Sequence, residues 1–160
     1  VVGLRNIHAT ARQCREMVER AVGRLENYPK VEARLRQHLD EKDRQLARVE
    51  GILSSFDEGR SAMKDMMASM AGNMGAMMNA PADDEILKNS FSAFGLANFE
   101  IAAYESLLTI GQIAGHKNAV RELQLSLNEE RDMAAWLSDN VRGVTLMHLQ
   151  MRSEGMQAKR

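Results

Sequence analysis

Acidic side chains stand where a helical repeat calls for hydrophobes. In the last third of the chain the stripe runs Val120, Leu123, Leu127, Ala134, Leu137, and the position that completes it is Glu130. Between Ser90 and Tyr104 the only charged side chain is Glu100, inside the most apolar segment of the protein. His38 falls on a third stripe, and Glu41, three residues on, is its neighbour on the same side. Glu100 and Glu130 lie fifteen residues on either side of Gly115, so an antiparallel hairpin turning at that glycine brings them to one level. A carboxylate alone in a dry interior costs several kcal/mol. Shared protons, a hydrogen-bond network, an arginine or a metal cation must offset that cost. Carboxylates and an imidazole from facing helices make the ligand set that iron or manganese prefers.

Each residue also has a plainer reading. Glu100 can be a protonated acid bonded to Tyr104, one turn away. Glu130, beside Arg131, can turn to the surface. His38 can be a satisfied core histidine, and Glu41 a solvated face residue. The shared level of Glu100 and Glu130 is what favours a joint site. Cys14 faces the predicted core with no partner for nucleophilic chemistry, and reads as a small hydrophobe. There is no Gly-rich phosphate loop, zinc signature or Ser/His/Asp constellation.

The elements that must position these residues are helical throughout. Ile7, Ala11, Cys14, Val18, Ala21, Val22 and Leu25 recur at steps of three and four, and Val31, Leu35, His38, Leu39, Leu46, Val49, Ile52 and Leu53 mark a second helix. Asn27-Tyr28-Pro29 separates these two helices, since proline suits a first helical turn. Pro81 followed by Asp83-Asp84-Glu85 signals the start of a third helix. That helix is apolar nearly all round, so it is expected in the middle of a bundle. After His148 the chain turns polar, and the last helix is expected to fray there.

The expected architecture is one all-α domain over 1–160, a ferritin-like four-helix bundle of two antiparallel hairpins. Its helices are placed at about 4–27, 30–56, 83–114 and 118–147, with a Met-rich helical crossover at 57–82. Seven of the twelve methionines lie in that crossover, from Met63 to Met78. Methionines at this spacing suit packing against the bundle or a dimer mate. Copper(I) binding to thioethers and membrane contact are the alternatives.

Composition narrows the function classes. A net charge of −1 with scattered lysine and arginine gives no electrostatic ground for nucleic acid or an anionic membrane. A single cysteine excludes a disulfide scaffold and fits a reducing cytoplasm. No signal peptide or membrane-length apolar run is read. A methionine surface would be buried most simply in a two-fold homodimer.

At these residues the chain resembles the YciE/YciF family of bacterial ferritin-like proteins. The resemblance rests on Asn27-Tyr28-Pro29, His38-Leu39-x-Glu41, Phe99-Glu100-Ile101-Ala102-x-Tyr104 and Leu127-Asn128-Glu129-Glu130 with Trp136-Leu137, and on the tail Arg152-Ser153-Glu154. It implies a dimeric, cytoplasmic bundle associated with stress responses, with a non-haem di-metal centre. His38, Glu41, Glu100 and Glu130 match that pattern. Ala11 and Ala97 depart from it, because the family carries glutamates there. Glu16 and Glu19 lie off the apolar face of the first helix and are poor substitutes.

Two functions are therefore expected as alternatives. One is a non-haem metal-binding protein, holding iron or manganese through Glu41, Glu100 and Glu130 with His38 as ligand or orienting group. The other is a non-catalytic bundle without metal, acting in assembly or partner binding.

Overall fold

The computed structural model of the chain describes residues 1–56 and 83–158. The Met-rich crossover expected at 57–82 lies outside the described residues. Four helices carry the fold: α1 (Val2–Val22), α2 (Pro29–Ser54), α3 (Glu85–Ile113) and α4 (Lys117–Ser153). They pack as a ring in the order α1, α2, α4, α3, which is the all-α four-helix bundle that the periodicity predicts.

Each end is set by local chemistry. α1 stops at Gly23, five residues before the tyrosine that precedes α2 and shorter than the periodicity suggests. Pro29 opens α2, and the residue before a proline avoids the helical region. Tyr28 accordingly turns out of helix (φ −125°, ψ 67°) and buries its ring. At the other hairpin Gly115 takes a left-handed φ of 75°. The His116 amide donates to Gly111 O and the Gly115 amide to Gln112 O, at 2.9 and 3.1 Å. This pair of hydrogen bonds to the preceding turn is how a glycine stops a helix, and α4 starts within three residues.

The C-terminal end differs from expectation. α4 does not fray after His148 but continues to Ser153, where Gly155 (φ 71°) stops it. The chain then folds back against the α1–α2 turn. Tyr28 Oη donates to Ala158 O at 2.5 Å, Asn27 Nδ2 to Gln157 O at 2.9 Å, and His148 Nδ1 to Ala158 O at 2.9 Å. Polar residues on the last turns are no obstacle, because the carbonyls beyond the helix find donors.

Arg24 pairs with Glu85 at one end of the bundle, whereas Phe56 packs into the cluster at the other. α2 thus ends and α3 begins at opposite ends, the connectivity of a ferritin-like bundle. The core has two apolar parts. One gathers Cys14, Val18, Tyr28, Leu35, Ile86 and Met133; the other Ile7, Val49, Leu53, Tyr104, Leu108 and Leu127. Between them lies a polar layer.

α3 is not central, since no helix of a four-membered ring can be. Its inner face buries Ile86, Ala97, Glu100, Tyr104 and Leu108. Its outer face leaves Phe91, Phe94 and Phe99 exposed, at 56%, 41% and 58%. Among the described residues no helix is long and apolar enough to cross a membrane.

Candidate functional site

The polar layer is built by one residue or pair from each of three helices, and every member is buried. Glu100 comes from α3, Glu130 from α4, and Lys42 and Gln45 from α2; all four are 0% exposed. The hairpin at Gly115 does bring Glu100 and Glu130 together. What stands between them is an ammonium. Lys42 Nζ lies 2.5 Å from Glu100 Oε2, 2.7 Å from Glu130 Oε1 and 3.2 Å from Gln45 Oε1. A lysine has three N–H donors, and here each has an acceptor. Gln45 Nε2 adds a bond of 2.8 Å to Glu130 Oε1.

The spacing of α2 carries a signal for Lys42. The α2 seam is Leu35, His38, Lys42, Gln45, Val49 and Ile52, an unbroken run of three- and four-residue steps. The apolar stripe leaves a step of seven between Leu39 and Leu46, and Lys42 and Gln45 are the residues inside it that keep the three- and four-residue spacing.

Glu41 and His38 form an adjoining cluster. His38 Nδ1 donates to Glu41 Oε2 at 2.9 Å; Arg34 Nη1 donates to the same oxygen at 3.1 Å, and Gln37 Nε2 to Oε1 at 2.8 Å. Glu41 is buried, not a solvated face residue. The other ring nitrogen, His38 Nε2, faces Glu130 Oε1 at 4.0 Å. The four sequence-predicted residues are thus brought into one region, in two clusters. Glu16 and Glu19 stay on the exposed side of α1, and Ala11 and Ala97 are buried at 0% and 2%.

Burial sets the electrostatics. It pushes the Glu100 carboxyl up to about 7, with Lys42 opposing and Glu130 reinforcing the shift. Burial also favours a neutral Lys42, but attraction to Glu100 and its neighbours wins and holds the ammonium above the ordinary lysine range. For Glu41 burial acts upward too, yet the hydrogen bond from His38 and the charge of Arg34 hold it below its usual range. Cys14 sits beside Glu100, and burial pushes its thiol well up, so it is an inert core group. The Tyr104 hydroxyl lies beside Ser126 and makes no hydrogen bond to Glu100, which removes the alternative of a protonated Glu100 bonded to Tyr104.

A resident metal does not suit this arrangement. Any ion bridging Glu100 and Glu130 would need the place that the Lys42 ammonium holds, and like charges at that range repel strongly in a dry interior. Among the described residues no three of His, Cys, Asp and Glu are grouped to hold a metal. Among the described residues two carboxylate oxygens, Glu100 Oε1 and Glu130 Oε2, accept no N–H or O–H hydrogen bond, while the Cys14 thiol lies against Glu100. They mark a centre with one cation for two acids.

Residues 1–150 match the family described as Domain of unknown function (DUF892). The chain belongs to the DUF892 family. Its fold is also that of a crystal structure of a protein (XCC3681) from Xanthomonas campestris pv. campestris, 22% identical, with a TM-score of 0.72. That likeness covers 94% of this chain and 93% of the other. At this identity it bears on the fold alone.

Proposed function

We infer that this DUF892 protein is a metal-independent, non-catalytic helical bundle that acts in assembly or partner binding. The observation that carries the reading is Lys42: the acid pair that would call for an external cation has an internal one, within 2.5 and 2.7 Å. With its three donors engaged and its side chains fully buried, the centre holds the helices in register and offers no open position for a substrate. Ala11 and Ala97 fit the same reading, since small apolar side chains add no ligand there.

The partner surface is the outer face of α3. Phe91, Phe94 and Phe99 line it, and its exposed positions from Phe91 to Ala102 carry no charge. Exposed aromatic patches of this kind mark interaction sites, and a two-fold homodimer is the commonest way to cover one. Cytoplasmic residence and a part in stress responses follow from the resemblance to the YciE/YciF proteins.

The decisive experiment is elemental analysis of protein purified after growth with iron and manganese, together with its melting temperature before and after chelation. Less than about a tenth of an equivalent of metal and no shift on chelation is the expected result, because a ligand bound only to the native state would stabilise it. Near-stoichiometric iron or manganese, lost in Glu100→Ala plus Glu130→Ala, would overturn this reading in favour of metal binding by Glu41, Glu100, Glu130 and His38. Light scattering is expected to show a dimer that Phe94→Asp plus Phe99→Asp converts to monomer.

A further inference from the structure

The seam between the second half of α1 and the first half of α3 is not filled by the described residues. Cys14, Val18, Leu35, Ile86 and Leu137, buried residues from all four helices, floor a slot of about 510 Å³, part of it open to solvent. Its rim is Met17, Ala21 and Leu25 on one side and Ser90, Ala93 and Leu96 on the other, all half-buried. Protein interiors leave few voids larger than a water molecule, and this one has a plain cause. α1 is held by α2 and α3 by α4, while Ala21, Ser90 and Ala93 are too short to fill the distance between them. Ser90 Oγ donates to Ile86 O at 2.8 Å, so its proton is used within α3.

Length and end chemistry select the occupant. From Ile86 to Leu96 the lining spans ten residues of α3, about 15 Å at 1.5 Å per residue. An extended chain advances about 1.2 Å per bond, a third of its reach per residue, so the slot matches about twelve carbons. Along the floor such a chain meets only hydrocarbon and the Cys14 thiol. The end at Leu25 and Ile86 is different. Arg24 and Glu85, the sequence neighbours of those two residues, pair at 2.8 Å, and Arg24 is half-exposed. Arg24 gives Nη2–H to Glu85, and a guanidinium has five N–H donors. Asn89 adds an uncharged amide near the same end.

We propose that the α1–α3 slot binds one unbranched fatty acid of about twelve carbons, its chain on the apolar floor and its carboxylate on Arg24 and Asn89. The slot stops at Cys14 and Leu96, one turn short of Glu100, so its ligand leaves the Lys42 ion pairs in place. The proposal stands apart from the metal-independent reading and adds a small-molecule ligand to the bundle.

The test titrates the full chain with dodecanoate, below the concentration at which it forms micelles, by calorimetry. One equivalent is expected to bind. Decanoate, two methylenes shorter, binds about tenfold more weakly. Dodecyltrimethylammonium, with the opposite head charge, also binds at least about tenfold more weakly, and Arg24→Gln weakens dodecanoate about fivefold. Ala93→Leu fills the slot and abolishes binding without lowering the melting temperature of the free protein. No binding of dodecanoate below about 1 mM overturns the proposal, as does equal binding of the ammonium amphiphile or of a folded Ala93→Leu protein. If Ala93→Leu does not fold, equal affinities of parent and Arg24→Gln, or of decanoate and dodecanoate, overturn it. Two other occupants would also sink it. Loss of a dimer in Ala93→Leu, with no dodecanoate bound by the parent, gives the slot to a second copy; faster tryptic cleavage at Arg60 or Lys64 in that variant gives it to residues 57–82. Metal analysis bears on the preceding reading, and neither of its results moves this one.

Discussion

Two buried acid clusters lie side by side in this bundle, and they are solved differently. Glu41 accepts from His38, Arg34 and Gln37, so both of its oxygens are satisfied and its carboxyl is held below the ordinary range. Glu100 accepts from Lys42, has only the weak Cys14 thiol as a further donor, shares that lysine with Glu130, and is pushed up to about 7. Both acids are shielded from solvent, but Glu100 lies deeper, so burial costs its charge more. Depth and the supply of donors together decide which acid stays ionised. A carboxylate can be dry and charged when several donors converge on it, but two carboxylates on one ammonium leave room for a proton.

The comparison breaks most visibly at Lys42. Lys42→Met is expected to cost about 3–5 kcal/mol in urea unfolding, because it strands two buried acids. A loss below about 1 kcal/mol would mean that the acids are already neutral and the ion pair is not formed. Glu41→Gln is the next largest effect, at about 2 kcal/mol, since it weakens charge-assisted bonds from His38 and Arg34 at once.

The dependence on pH sharpens the contrast, because the two acids act with opposite signs. Glu100 binds its proton more tightly in the folded state, so its contribution to stability falls as pH rises from the ordinary carboxylate value of 4.5 to about 7. The groups facing it are Cys14 from α1, Lys42 from α2 and Glu130 from α4. Glu41 has the reverse behaviour: its stabilisation is present above the usual carboxylate range and is lost as pH falls through its lowered value. Unfolding free energies of Glu100→Gln between pH 5 and 7.5 are expected to lose the parent's downward slope. A slope unchanged in that variant would assign the titration elsewhere.

Smaller effects are expected away from the layer. Tyr28→Phe removes the bond to the Ala158 carbonyl and is expected to cost about 1 kcal/mol, with earlier proteolysis of the tail. Glu105→Ala removes the exposed pair with Arg131 and should change stability by less than about 0.5 kcal/mol.

Much of this was readable from residue order. The inward direction of Glu100 and Glu130 and their common level followed from the 3.6-residue period and one glycine. The burial of His38 followed from its stripe. Lys42 and Gln45 lie on the same stripe, but residue type argues against their burial, because a long charged side chain at a seam position ordinarily reaches out to water. Nor did the tail's return to Asn27 and Tyr28 show in its own polar composition. Its anchors are backbone carbonyls, which every sequence offers equally.

By itself the sequence determined four helices, the faces that turn inward and the turn that aligns two acids, since these depend on period and on glycine and proline chemistry within a few residues. Only the tertiary structure decided what neutralises those acids. The bonds from Lys42 reach 58 and 88 residues along the chain, and whether an ammonium or an incoming ion fills the gap depends on which side chains share a dry space a few ångströms wide.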